Sequence, residues 1–250
     1  MTRKLLALLV LALGFAVAKA PAALLGGLLS HFSGGSLILQ QAEGSLWQGR
    51  GVLASRDAGG RSLTPWLPLA WRFDAGPLAR LAIGWDLSTS GSPLAHVELG
   101  SAGLKLGGLK LHAPAGAALA AIPYPAARAG WHGDLSIAAP RWDCPADGRC
   151  SGEASLLWRG AGSALFPGRS FGDYRLQINA EAGNLRFTLA TLAGPIVASG
   201  QGEAPYGQQP RFDGQLSGDA ELLRRLPAIA GGAAKPGTQP GHFEIHWPPR

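Results

Sequence analysis

The chain has 250 residues, 46% of them hydrophobic and 15% charged, with 37 glycines and 19 prolines. That hydrophobic share excludes a disordered chain, and the Gly and Pro content excludes a mainly helical one, because both residues destabilise helix interiors. Three of the 22 basic residues, Arg3, Lys4 and Lys19, belong to the N-terminal segment; without them the excess over 16 acidic residues falls from six to three, and no basic stripe remains that could follow a phosphate backbone, so nucleic-acid binding is not expected.

The N-terminus opens with Arg3 and Lys4 and continues through an apolar run from Leu5 to Leu29, interrupted only by Lys19. Basic residues ahead of such a run hold the N-terminus in the cytoplasm and direct the downstream chain across the membrane. The run is long enough for a transmembrane helix, since about 20 apolar residues suffice. Ala16-Val17-Ala18 also offers a small-x-small cleavage pattern, so a signal peptide is the alternative. An uncleaved anchor over residues 1–29 is favoured, and in either case residues 30–250 are exported.

From residue 45 onward the hydrophobic period is two, the signature of strands with one buried face. LAWRFDA (69–75), LAIGWDLS (81–88), AHVELGS (95–101) and LKLGGLKLH (104–112) alternate. GDLSIAA (133–139), EASLLW (153–158), DYRLQINA (173–180), NLRFTLAT (184–191), RFDGQLSG (211–218) and HFEIHW (242–247) obey the same rule. Gly107-Gly108, Asp147-Gly148 and Ala182-Gly183-Asn184 read as hairpin connections. Helix is expected at 219–227, where Pro227 stops it, and more weakly at 116–121, with a connector over 228–241. The fold class is therefore mainly β: an N-terminal helix followed by an elongated, curved antiparallel sheet. An echo between LAWRFDAGPL (69–78) and LLWRGAGSAL (156–165) suggests two similar β halves, divided near 125–150.

Chemistry-bearing patterns are sparse. Gly168-Arg169-Ser170-Phe171-Gly172 matches G-x-S-x-G, but a nucleophile elbow needs a helix after the serine, and an alternating strand comes next instead. His242, Glu244 and His246 share one face of the last strand and could hold zinc, but they read more simply as the solvent side of a half-buried strand, and no metal site is assigned. Carboxylates are scattered, and no Gly-rich loop joins a strand to a helix, so neither a catalytic residue nor a cofactor is assigned. The eight tryptophans are expected mostly in the core. Cys144 and Cys150 flank Pro-Ala-Asp-Gly; with no histidine nearby and without C-x-x-C spacing, an exported pair is expected to form a disulfide that pins the hairpin between 133–142 and 151–158.

The order of features, a basic start, an apolar anchor, Glu43-Gly44-Ser45-Leu46-Trp47-Gln48-Gly49-Arg50-Gly51, then Trp71-Arg72 and Gly172-Asp173-Tyr174-Arg175-Leu176, resembles protein N of the bacterial type II secretion system. Gly44, Leu46, Trp47, Gly49, Trp71, Gly172 and Tyr174 carry the likeness, and G-x-L-W-x-G is its most distinctive part. The resemblance implies a single-pass inner-membrane protein with a periplasmic β domain, a non-catalytic accessory part of the secretion machine whose partners are other secretion components. It implies no small-molecule substrate. The competing reading is a lipid-handling sheet anchored at the inner membrane. A closed scaffold would bury Leu104, Leu106, Leu109, Leu111, Leu185, Phe187 and Leu189, whereas a lipid groove would leave them open.

Overall fold

The computed structural model describes residues 2–56, 62–120, 130–223, 234–237 and 241–248. It begins with α1 (Thr2–Ala18) and α2 (Ala23–Phe32). The first half of the sheet contains β1 (Leu37–Gly44), β2 (Gln48–Arg56), β3 (Leu63–Asp74), β4 (Ala82–Thr89), β5 (Ser92–Gly100) and β6 (Gly103–Pro114). A short helix, α3 (Ala115–Ala120), precedes β7 (Trp131–Pro145), β8 (Ser151–Ser163), β9 (Ser170–Glu181), β10 (Asn184–Ala193), β11 (Ile196–Pro205) and β12 (Arg211–Gly218). β13 (Ala234–Pro236) and β14 (His242–Trp247) finish the described chain. Among the described residues the strands form one antiparallel 14-stranded sheet in chain order, except that β14 lies between β12 and β13.

The single continuous helix expected from Leu5 to Leu29 is not formed. Pro21 lacks a backbone N–H and biases its predecessor away from helical angles. The chain around it is claimed by the β1–β2 turn: Pro21 bridges Ser45, the Ala22 N–H donates to Gly44 O and the Leu46 N–H donates to Ala20 O. The second helix, α2, packs on β1. Among the described residues no helix is long and apolar enough to cross a membrane.

Alternation sets the two faces of the sheet. Tyr174, Leu176, Ile178 and Ala180 of β9 face one way, and Arg175, Gln177 and Asn179 the other. Register extends the apolar side: Leu176 opposes Leu156 and Leu189, and Ile178 opposes Ala154 and Phe187. Gly107-Gly108 is not a turn but lies inside β6, where Gly108 has φ +64°. On the paired strand, β7 carries an extra residue relative to β8 between Ala138 and Arg141. Leu106 opposes Trp142 and Leu111 opposes Ile137, so both strands change their alternation together and keep these four side chains on one face.

The sheet curves enough for α3, after β6, to touch β2 and β3 as well as β6 and β7. Ala54, Leu67, Trp71, Leu94, Ala113, Ala115 and Ala117 are buried in this half. In the other half Phe166, Phe171, Ile196, Leu222 and Leu223 form a cluster against Trp131, Tyr174, Leu216 and Phe243. The helical turn carrying Leu222 and Leu223 starts after Asp219, whose Oδ1 accepts from the N–H groups of Glu221 and Leu222. The remainder of the 219–227 helix and most of the 228–241 connector lie outside the described residues. Residues 121–129, within which the expected division of the halves begins, also lie outside them; β6, β7 and β8 pair continuously from either side.

Candidate functional site

Five of the seven motif residues converge on the turn between β1 and β2. Gly44 has φ +93°, and a Cβ there would collide with the Gln48 carbonyl. The Ser45 N–H donates to Gln48 O at 2.8 Å, and Ser45 Oγ accepts from the N–H groups of Trp47 and Gln48, each at 3.2 Å. Gly49 lies so close to Glu43 O and the Trp71 ring that no side chain fits.

Three indoles fix this turn. Trp71 Nε1 donates to Ser45 O at 3.0 Å, Trp85 Nε1 to Leu46 O at 3.1 Å, and Trp47 Nε1 to Val17 O at 2.9 Å. Trp47 stacks with Trp85 at 6.5 Å between centroids and meets Phe73 edge-on at 5.2 Å. Val17 lies in the last turn of α1, so the turn clamps the end of the first helix to the sheet. Trp85 and Phe73 lie outside the seven motif residues; their alternation with Leu87 and Trp71 places them on the Trp71 face of β3 and β4. The indole donors of the site are spent on backbone carbonyls, and Ser45 Oγ is engaged by the N–H groups of its own turn. Its chemistry is that of a dock.

Gly172 and Tyr174 lie in the second cluster. Gly172 has φ +139° with Ala193 O and Gly194 against it. Tyr174 Oη lies 3.0 Å from both Phe171 O and Ile196 O, and burial, helped by the Asp173 charge, pushes its pKa well up. Trp158 repeats the Trp71 arrangement by donating Nε1 to His132 O at 3.1 Å. Of the tryptophans, Trp71 is buried at 3% exposure and the other seven are half-buried.

The remaining candidates have structural partners. Ser170 Oγ donates to Ala161 O at 3.1 Å and opens β9 rather than a helix. His242, Glu244 and His246 share the polar side of β14, where His246 Nδ1 is 2.7 Å from Asp213 Oδ1 and Nε2 is 3.5 Å from Glu244 Oε2. Among the described residues no group of three or more His, Cys, Asp or Glu is arranged to hold a metal ion. Cys144 and Cys150 are joined by a disulfide that closes the β7–β8 connection. Because its loop is short, reduction should cost at most about 2–3 kcal/mol. A calorimetric scan with and without reductant should show a small fall in Tm and a fold that survives.

On the polar face His96 Nδ1 is 2.7 Å from Asp86 Oδ1, Nε2 is 3.4 Å from Glu98 Oε1, and Arg80 also pairs with Glu98 at 2.9 Å. The Asp86 hydrogen bond, against some desolvation, holds the imidazole pKa above its usual 6.5. A histidine pKa raised by folding adds stability that is full below the unfolded value and is lost as pH rises through the folded one. Asp86→Asn should therefore lower the urea midpoint more in mildly acidic than in mildly alkaline buffer.

Among the described residues the apolar face is covered only in part, by α3 and by the turn carrying Leu222 and Leu223. Leu106, Leu109, Leu111, Leu185, Phe187 and Leu189 are half-buried, and Leu104 is 43% exposed. The set that a closed scaffold would bury stays partly open.

The fold and site together define a single-sheet β protein with an apolar helical arm clamped at one end of its strands. The family model for type II secretion system protein N matches residues 36–239, and the chain belongs to that family. This membership supports an accessory role in type II secretion. No significant match to a curated protein or to a solved structure was found.

Proposed function

We propose that this chain is a non-catalytic component of the type II secretion apparatus, held in the inner membrane by α1, with its sheet in the periplasm contacting other secretion components. Family membership carries the reading, and the state of α1 supports the anchor. Leu5, Leu6, Leu8, Leu11, Phe15 and Val17 are exposed, and at 100° per residue they point all round the helix. A helix apolar on every side needs nonpolar surroundings. At 17 residues α1 rises about 25 Å, less than the roughly 30 Å of a typical hydrocarbon core; local thinning and the snorkelling of Lys19 are the usual accommodations. The anchor then ends at Ala18, and the periplasmic unit begins at the Pro21 bridge. An uncleaved N-terminus agrees with the use of Val17 O as the acceptor for Trp47. The disulfide suits an oxidising compartment.

The test is membrane fractionation followed by crosslinking and pull-down from cells that assemble the apparatus. Recovery of the chain in the membrane pellet, crosslinked to secretion components, is expected, together with retention of exoproteins in cells lacking it. Recovery with lipid and never with secretion components would count against the reading.

The half-open apolar face favours a second reading, a groove for acyl chains. The discriminating variant is Phe187→Glu with Leu189→Glu. Lipid that co-purifies with the native chain and is lost from this variant, with the crosslinks unchanged, would mark lipid handling as a function in its own right.

A further inference from the structure

The two ends of the β4–β5 region differ sharply in chemistry. At one end the β4–β5 turn is Thr89-Ser90-Gly91-Ser92, wholly polar. At the other, the 3-10 turn Gly76–Arg80, the start of β4 and the β5–β6 turn expose four leucines: Leu78 at 50%, Leu81 at 83%, Leu99 at 51% and Leu104 at 43%. Leu81 has φ +56°, a left-handed conformation that caps the 3-10 turn, its N–H donating to Leu78 O at 3.0 Å, and it displays its side chain almost completely. The cap explains the backbone; the exposure of a leucine side chain adds nothing to the fold.

Three of these leucines are neighbours through register. Ala82 opposes Gly100, directly after Leu81; Ile83 opposes Leu99, and Leu99 opposes Leu104. Together with Leu78 they make an apolar rim along consecutive strand ends. The carboxylates beside this rim have partners: Glu98 pairs with Arg80, and Asp74 Oδ1 accepts from the Gly76 N–H.

The rim lies at the end from which α1 departs. β4 begins at Ala82, and Trp85, three residues on, donates to Leu46 O; the next residue, Trp47, donates to Val17 O in the last turn of α1. The exposed apolar surface of α1, the half-buried Trp47–Trp85 stack and the leucine rim therefore succeed one another at one end of the sheet. Tryptophans concentrate at the membrane–water boundary, where an apolar body and a polar N–H are both accommodated.

We propose that the strand ends carrying Leu78, Leu81, Leu99 and Leu104 seat in the interfacial layer of the same bilayer that holds α1, so that the sheet stands on the membrane by its rim as well as by its anchor. The occupant is a lipid surface and not a protein, because the rim continues the surface of the anchoring helix. This proposal rests on α1 being the anchor.

The test uses the full chain in vesicles of phosphatidylethanolamine and phosphatidylglycerol, with the Cys144–Cys150 disulfide kept oxidised so that a single introduced thiol takes the label. Leu81→Cys and Ser90→Cys are each labelled with an environment-sensitive fluorophore. The expected result is a blue shift at position 81, with quenching by lipids spin-labelled near the headgroup, and neither effect at position 90. Leu78→Gln with Leu104→Gln should reduce the shift at position 81 while the chain still floats with the vesicles. A chain that floats but leaves position 81 in water overturns the rim and spares the anchor. A chain that does not float overturns both. Protection of position 81 only after secretion components are added would assign the rim to a protein and overturn the proposal.

Discussion

Trp71→Ala should lower the unfolding free energy by about 3–5 kcal/mol, the range for removing a buried aromatic side chain. Trp71 is 3% exposed, and its ring lies against Gly49 so closely that no other residue fits there. Truncation opens a cavity at that contact and removes the donor to Ser45 O, leaving a carbonyl of the dock without its indole partner. The effect should reach beyond β3. Ser45 also bridges Pro21, and the adjoining Leu46 N–H holds Ala20 O, so a loosened turn releases the segment between α1 and α2. Limited proteolysis of the detergent-solubilised chain should show faster cleavage at Lys19 in the variant, alongside a lower urea midpoint. Trp71→Phe, which keeps most of the apolar area and loses the hydrogen bond, should cost less than the alanine variant. Equal losses would mean that the bond, not the packing, organises the dock.

The indole dock also shows where a sequence stops being legible. Trp47 and Trp71 stand out as residues, but their acceptors are the carbonyls of Val17 and Ser45, and a backbone acceptor has no sequence signature. The apolar window from Leu5 to Leu29 reads as one helix because hydropathy registers side chains only. What divides it is the capture of Pro21 by a partner 24 positions away.

Strands with clean alternation, such as DYRLQINA and NLRFTLAT, were legible because each has one apolar and one polar face. Three departures hid others. In β1 a register shift between Gln40 and Glu43, with Gln41 at φ +50°, breaks the period. In β11 the apolar side carries Gly200 and Gly202, which make room for the rings of Phe212 and Phe187, so packing left no hydrophobic trace. The glycine pair in β6 has the composition of a turn and serves as a kink that keeps leucines on one face across a change of alternation. The face bearing His242, Glu244 and His246 was readable from β14 alone, whereas Asp213, which engages His246, is contributed by β12 and emerges only through pairing.

Phe171→Ala should produce a second loss of about 3–5 kcal/mol, at the opposite cluster. Phe171 is 4% exposed, with the Phe166 and Trp131 rings at 5.5 and 6.3 Å, and its carbonyl is one of the two acceptors facing Tyr174 Oη. The contacts named for Trp71 and for Phe171 involve different residues in different parts of the sheet, so their losses should add to within about 0.5 kcal/mol. The sum then approaches the whole stability of an ordinary domain, about 5–15 kcal/mol, and the double variant should be largely unfolded. Whether each single variant melts in one step or two depends on the seam between the halves. β6 and β7 pair along their length, and their coordinated irregularities keep one apolar face running through that seam. Separating the halves would expose that face and strip the ladder of its partners, so one cooperative transition is expected for the native chain and for each single variant. Circular dichroism and tryptophan fluorescence should report coincident midpoints in urea. Two transitions, with Trp71→Ala shifting one and Phe171→Ala the other, would show that the halves are independent units that happen to share a sheet.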